Sequence, residues 1–346
     1  MNSTLKVIRK ELGLSVRALA DKMGNLVTQQ ALSQYELGKI NLRKEVLIAL
    51  ADVLNLPPDF FVNDRQLTIV PVEYRIYDEL DRETRWQILR GAYACVEQTA
   101  EWERITGQIS KFANPLPPED RVIRSIVDVE QASLLLRQVW QMVTLPVGNV
   151  RYLLENQGIR VFECALPTEH FHGLTTYLND VPVMALSNDV LWQGQPYRMS
   201  TVRRRLTALH ELAHLLLDFT HVGTKKEIEV LCTTFAGMVL LPKQRLVEAI
   251  GEQPHSLTID DLKLMKTVWG ISLQAILWRA LDWELLDRPT VNKLLNQIKE
   301  HPDVRTEKNG VIYAEPWEDA YQGSECAYRF EQLKQRSQQL HRQREA

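Results

Sequence analysis

Along the first sixty residues, apolar side chains recur every three or four positions: Leu5, Ile8 and Leu12, then Val16, Leu19 and Met23, then Ala31, Leu32 and Tyr35, then Val46, Leu47, Leu50 and Leu54. That spacing gives each of a series of short helices one apolar stripe. Gly13, Gly24, Gly38 and the pair Pro57-Pro58 punctuate the series. The pattern predicts a bundle of about five short helices over residues 1–62, reading as helix, tight turn, helix between Ser15 and Leu37. Periodicity is weak over 63–73 and returns as a polar-rich helical stretch over 76–112. It is then cut by Asn114-Pro115-Leu116-Pro117-Pro118, which cannot continue a helix. Residues 63–118 read as a helical connector, for which a spacer, a dimer contact and a simple packed helix are all open.

Helical spacing resumes over 122–143 and 146–157, the second stretch ended by Gly158. The period then changes. Segments 159–165, 173–178 and 181–186 are short, rich in Val, Ile, Thr, Tyr and Phe, and bounded by Gly, Pro and Asn-Asp, the signature of strands in a small sheet. Asn179-Asp180 would turn the last two into a hairpin, and helices resume after Pro196. The fold class expected is mainly α with an α+β part: a helix-turn-helix domain, then a domain over 119–287 carrying a small β-sheet. Residues 288–346 form a C-terminal extension of mixed charge, with a short strand expected near Val311 and a helix from Tyr328 onward.

Composition adds exclusions. With 45% hydrophobic, 25% charged and 8% aromatic residues, the chain is neither disordered throughout nor a low-complexity scaffold. No stretch approaches the roughly 18 consecutive apolar residues of a membrane span, and MNSTLKVIRKELGLS lacks the apolar segment of a secretory signal. Cys95, Cys164, Cys232 and Cys326 lie far apart with no CxxC pair, so the expected setting is a reducing cytoplasm with no membrane partner. The net charge of −3, from 41 basic and 44 acidic residues, provides no protein-wide field for nucleic acid. Residues 1–62 alone hold eight Lys and Arg against six acids, an excess of two.

In a helix-turn-helix pair the second helix enters the major groove with its first residues at base edges. Here it would start at Thr28, a good N-cap, followed by Gln29, Gln30, Ser33 and Gln34. Glutamine can pair both N6 and N7 of adenine. The helix N-terminus, Lys39, Arg43 and Lys44 would hold phosphates. Polar residues that merely cap and solvate the helix would look the same. The segment also contains Leu14-Ser15, Ala18-Leu19-Ala20, Thr28-Gln29-Gln30, Tyr35-Glu36-Leu37-Gly38-Lys39 and Leu56-Pro57-Pro58-Asp59-Phe60-Phe61. On these it resembles the Xre or Cro/C1-type repressor DNA-binding family. The resemblance implies a double-stranded DNA operator, and two half-sites one helical turn apart would suit a homodimer. The turn GNLVTQQ is longer than usual in that family, and Leu37 stands where Asn is common.

The segment Thr207 to Asp218 carries His210-Glu211-x-x-His214 among mostly apolar neighbours. On a helix, positions i and i+4 share a face, so both imidazoles can address one ion while Glu211 stands beside them as general base for water. A catalytic zinc needs a third protein ligand. His170, His172, His221 and His255 are available, but a carboxylate on the apolar segment from Glu229 to Pro242, a second helix, is the better source. Glu227 rivals Glu229 for that role.

From about Val129 to Asp287 the chain resembles the ImmA/IrrE family of metallopeptidases. The resemblance is carried by Gly158-Ile-Arg-Val, His172-Gly-Leu, Pro182-Val-Met, Arg205-Leu-Thr-Ala-Leu-His-Glu-Leu-Ala-His-Leu-Leu-Leu, Phe235-Ala-Gly-Met-Val-Leu-Leu-Pro and Ile271-Ser-Leu-Gln-Ala-Ile-Leu-Trp-Arg-Ala-Leu. It implies a zincin-like domain built on the HExxH helix, with Glu229 as third ligand, zinc (or manganese) as the metal and Glu211 as base. It also implies a metal-dependent endopeptidase that cuts a protein partner such as a repressor or a small toxin-like protein. Thr233 replaces the usual Asn four residues after the ligand glutamate, and Leu206 and Ala213 replace the common Phe and Gly. A competing class is a non-proteolytic transcription factor or antitoxin whose metal site only senses or stiffens. A fourth protein ligand, His172 or Cys232, would mark it.

Overall fold

A computed structural model describes residues 2–56, 69–71, 80–107, 109, 111–164, 172–178, 180–192, 195–250 and 257–300. Four helices open the chain: α1 (Asn2–Glu11), α2 (Val16–Lys22), α3 (Gln29–Glu36) and α4 (Lys44–Leu54). The fifth helix expected by residue 62 falls outside the described residues. Ser15 and Thr28 cap α2 and α3, each side-chain oxygen accepting the backbone N–H three residues on, at 3.0 and 3.2 Å. Gly24 and Asn25 both take positive φ in the turn between them, so the longer turn is absorbed by two residue types that tolerate the left-handed region. Leu5, Ile8, Leu19, Leu32 and Leu50 fill the core of this bundle. Arg9 clamps it, pairing with buried Glu36 of α3 while donating to the Leu14 carbonyl at 2.8 Å.

The remainder is a layered α/β arrangement. Strand β1 (Ile69–Pro71) lies in the stretch of weak periodicity, and α5 (Arg82–Thr106) follows, capped by Asp81 and ended by Gly107 in the left-handed region. A 3-10 turn, α6 (Ile126–Val139) and α7 (Val150–Asn156) lead to β2 (Arg160–Cys164), β3 (Gly173–Leu178) and β4 (Val181–Ser187). The sheet order is β1-β3-β4-β2. β1 and β4 each run antiparallel to β3, and β2 runs parallel to β4. Asp180, at positive φ, turns the β3–β4 hairpin; Asn179 lies outside the described residues. A second hairpin, β5 (Asp189–Trp192) with β6 (Gln195–Arg198), occupies a stretch where the sequence pattern marked no strands.

Side chains alternate across the sheet, as the two-residue period requires. Val183 and Ala185 of β4 face α5, whereas Met184 and Leu186 face the main core. α5 thus covers one face, contributing Trp86, Leu89 and Ala92 to the same apolar cluster as the first four helices, together with Leu178 and Val183. Gly91 permits that approach, since a Cβ there would meet the Phe162 ring at 2.3 Å. The other face carries α8 (Thr201–Leu216), paired with α9 (Lys225–Leu240) and backed by α6. Helices α10 (Lys243–Ile250), α11 (Ile259–Trp269), α12 (Leu273–Asp282) and α13 (Arg288–Glu300) close the domain. The extension beyond residue 300, with the expected strand and helix, lies outside the described residues.

The Pro-rich exit from α5 is pinned to the end of α8: Asn114 donates to the Leu216 carbonyl at 2.9 Å, the Ile123 N–H donates to the Asp218 carbonyl at 2.9 Å and the Asp218 N–H to the Arg121 carbonyl at 2.8 Å, a short parallel bridge about Val122. Arg137 of α6 is 1% exposed and donates to the carbonyls of Val239, Met142 and Leu145, joining α6 to the end of α9. Arg137→Met would keep the volume and leave those carbonyls with one donor group fewer. Chemical denaturation should show a loss of about 3 kcal/mol, the sum of about 1 kcal/mol for each abandoned acceptor.

Candidate metal centre and DNA-facing helix

Almost every side of α8 is covered: Val202, Leu209, Leu212, Ala213 and Leu216 are buried, and so are Glu211 and His214. Consecutive residues on a helix point about 100° apart, so neighbouring His210 and Glu211 serve different partners. The two histidines face α9 and Glu211 faces β3.

On the α9 side, Glu229, Cys232 and Thr233 follow the i, i+3, i+4 spacing of one helix face. The Nε2 atoms of His210 and His214 stand 3.2 Å apart. Glu229 brings Oε2 to 3.3 Å from His210 Nε2 and Oε1 to 3.7 Å from His214 Nε2. One ligand atom from each of the three residues lies within 4.8 Å of the other two, close enough for a single ion to span. Behind them, His210 Nδ1 lies 3.1 Å from the Thr233 hydroxyl, which itself donates to the Glu229 carbonyl at 2.8 Å. Since that hydrogen is committed, Thr233 accepts from Nδ1–H and leaves Nε2 bare for a ligand. Thr233 can therefore orient the His210 ring. His214 Nδ1 is backed by Cys232 Sγ at 3.6 Å.

Glu227, at the start of α9, lies outside that group. Its Oε2 accepts from the Thr224 N–H and the Thr224 hydroxyl, both at 2.9 Å, while Thr224 caps Glu227 N–H in return. This reciprocal capping box was readable in the sequence as Thr224-x-x-Glu227, and would have decided between the two glutamates. His221 is exposed in the loop before α9 and half-buried His172 precedes β3; neither belongs to the three-residue group. His170 and His255 lie outside the described residues.

On the β3 side, Thr175 Oγ1 lies 3.3 Å from Glu211 Oε2. A Cβ on Gly173 would come within 2.9 Å of Glu211 Cγ, so the strand can lie this close only because residue 173 has no side chain. Burial pushes the Glu211 carboxyl up to about 7, with Glu229 adding to the rise and His210 and Thr175 opposing it. Burial also holds His214 down at about 3, reinforced by His210 and opposed by Glu229. His214 is thus neutral at neutral pH, and its approach to Glu229 is not an ion pair.

Residues 5–61 match the family model described as Helix-turn-helix, and residues 154–281 match the one described as IrrE N-terminal-like domain. The chain joins a helix-turn-helix domain to an IrrE N-terminal-like, metallopeptidase-like domain. No curated protein matches it. The second match takes in α8, α9 and the His210, His214, Glu229 group. Among the described residues, no helix is long and apolar enough to cross a membrane.

In the helix-turn-helix domain, α3 begins where the sequence placed the second helix, and Thr28, Gln29 and Gln30 are exposed at its start. Ser33 and Gln34 are half-buried, and Lys39, Arg43 and Lys44 are exposed after its end. The Thr28 hydroxyl oxygen is engaged in the cap. Leu37 is 59% exposed at the C-terminus of α3.

The two opposed pKa shifts give a stability signature. In the metal-free chain, Glu211 ionises on unfolding between about pH 4.5 and 7 while the folded carboxyl stays protonated, so its contribution falls as pH rises through that window. His214 acts in the opposite sense: its contribution is lost as pH falls from 6.5 toward about 3. Comparing wild type with Glu211→Gln, both treated with chelator, cancels the histidine. The wild type should lose about 3 kcal/mol relative to the variant between pH 4 and 8, measured by urea denaturation; a pH-independent difference would refute the assignment.

Proposed function

We propose that this chain is a DNA-binding transcriptional regulator carrying a zinc-dependent endopeptidase, one that cuts a protein partner, a repressor or small toxin-like protein, to switch gene expression. The observation that carries the reading is the convergence of His210, His214 and Glu229 from two helices, beside a buried carboxyl drawn from the same HExxH turn. Two imidazole nitrogens and one carboxylate oxygen are the donor set of a catalytic zinc with one position left for water or substrate; manganese accepts the same donors. Among the described residues that group has three members. Cys232, weighed as a closing ligand, meets His214 at Nδ1, the nitrogen on the side of the ring away from Glu229, so it supports the ring instead of completing the shell.

Zinc held there would polarise the scissile carbonyl and acidify the attacking water. Burial keeps His214 neutral, so its Nε2 lone pair remains a ligand at any physiological pH. Thr233 fixes the His210 ring with Nε2 facing Glu229. Glu211, the buried carboxyl beside that group, would take the proton from water and return it to the departing amine as general base and acid. Thr175 steadies one oxygen of that carboxylate.

In this reading residues 1–62 bind a double-stranded operator in the cytoplasm, 63–118 connect, 119–287 cut, and 288–346 extend the chain. Gln29, Gln30, Ser33 and Gln34 would read base edges, while the α3 N-terminus at Thr28, Lys39 and Arg43 would hold phosphates of a homodimer's two half-sites.

Elemental analysis should find about one zinc per wild-type chain and little in His210→Ala or Glu229→Ala, as expected for three protein ligands. Glu211→Gln should keep its zinc and lose cleavage of a partner repressor by at least ~100-fold; full cleavage by that variant would overturn the mechanism. On an operator selected from random DNA, Gln30→Ala should cost about 1–3 kcal/mol at one base pair and relax specificity there. Arg43→Ala should instead weaken all sequences alike and lower the salt slope by about one.

A further inference from the structure

β3 performs two jobs at its two ends. Its first residues flank the catalytic carboxyl, Gly173 by close approach and Thr175 through its hydroxyl. Its last residue, Leu178, belongs to the apolar cluster shared with the helix-turn-helix domain. One long edge of β3 is paired to β4 along all six residues. The other edge pairs with β1, in the register Ile69 with Leu178, Val70 with Tyr177 and Pro71 with Thr176. β1 therefore runs antiparallel to β3 and heads toward the Glu211 end, the polarity and edge that an extended chain reaching the metal centre would use.

We propose that β1 is a resident occupant of this peptide-pairing edge, and that an extended segment of the protein partner displaces it when it pairs along the whole length of β3 toward Glu211. The inference rests on the endopeptidase reading above. β1 suits displacement: it has three residues, pairs with no other strand among the described residues, and ends on Pro71, which has no N–H to give to the ladder. It also lies in the chain between the helix-turn-helix domain and α5, so its release would free a segment leading directly from the DNA-binding bundle.

Two variants test this in the full chain. Val70→Cys with Tyr177→Cys joins directly opposed residues, whose Cα atoms in antiparallel pairs lie about 4.5–5.5 Å apart, within disulfide reach. Val70→Pro removes a further N–H from β1. The probe is a fluorescein-labelled synthetic copy of residues 67–75, with binding followed by anisotropy, hydrogen exchange of the β3 amides as a second readout, and zinc content alongside. Val70→Pro should bind the probe at least tenfold more tightly than wild type and regain β3 protection when the probe is added. The oxidised double-cysteine protein should not bind it, and reduction should restore wild-type affinity, all with unchanged zinc. Equal probe binding by wild type, oxidised and reduced proteins would overturn the proposal even if a partner is cleaved. Probe binding that follows the strand in a protein that cleaves nothing would uphold it and defeat only the peptidase reading.

Discussion

A helix buried on nearly all sides cannot carry two imidazoles and a carboxyl unless each finds a partner, because an orphaned buried polar group costs about 1–3 kcal/mol. α8 meets that demand with residues from two other elements. β3 supplies Thr175 and the bare backbone of Gly173 for Glu211. α9 supplies Thr233 for His210 and Cys232 for His214. The rest of the domain follows from having to hold β3 and α9 at these distances. β4 and β1 flank β3 in the sheet, α5 closes its far face, and Arg137 of α6 ties down the end of α9. Arg205, one turn before the site on α8, donates to the Val147 and Gly270 carbonyls and so anchors the same helix to the loops before α7 and α12.

Burial also sets the chemistry. One cause, removal from water, disfavours whichever form of a group is charged. For His214 that means staying neutral, the form in which imidazole binds a metal; for Glu211, in the metal-free chain, it means holding a proton up to about pH 7. Glu229 is the exception. With its side chain 34% exposed it keeps contact with solvent, unlike His214 at 4%. The group thus grades from a dry histidine to a wetter carboxylate.

Much of this was legible in the sequence because the signals were local. The HExxH spacing, the N-caps Ser15 and Thr28, and the period change after Gly158 depend on neighbours within a turn or a strand. Glu229 was separable from Glu227 by a local rule as well, since Thr224-x-x-Glu227 commits the latter to the cap. The illegible parts are those that depend on distant residues. β1 is three residues in a stretch without periodicity, and it is a strand only because β3 offers an edge. The β5–β6 hairpin is nearly as short, with four residues in each strand. Nothing in the alternation of Arg82 to Thr106 tells that Gly91 must admit Phe162, seventy-one residues later in the chain, for the helix to lie on the sheet.

The two family-matched parts of the chain are joined across α5, which touches α1 and lies on the sheet. A six-residue strand spans about 20 Å, and β3 uses that length to run from the Glu211 carboxyl to the cluster containing Leu5, Leu50 and Trp86. Proximity alone does not couple two sites; coupling needs an element with two discrete arrangements that each site biases differently. The packed faces of β4 are poor candidates, since Val183, Met184 and Ala185 are all within dense cores, where small shifts are resisted. The β1 edge differs in kind. Its pairing is held by a short backbone ladder that ends in proline, and exchanging it for another extended chain conserves the hydrogen bonds of β3 while changing which segment is tethered there. An edge strand held by three paired residues is the element of the described fold best suited to two discrete arrangements, and it lies in the chain between the helix-turn-helix domain and α5.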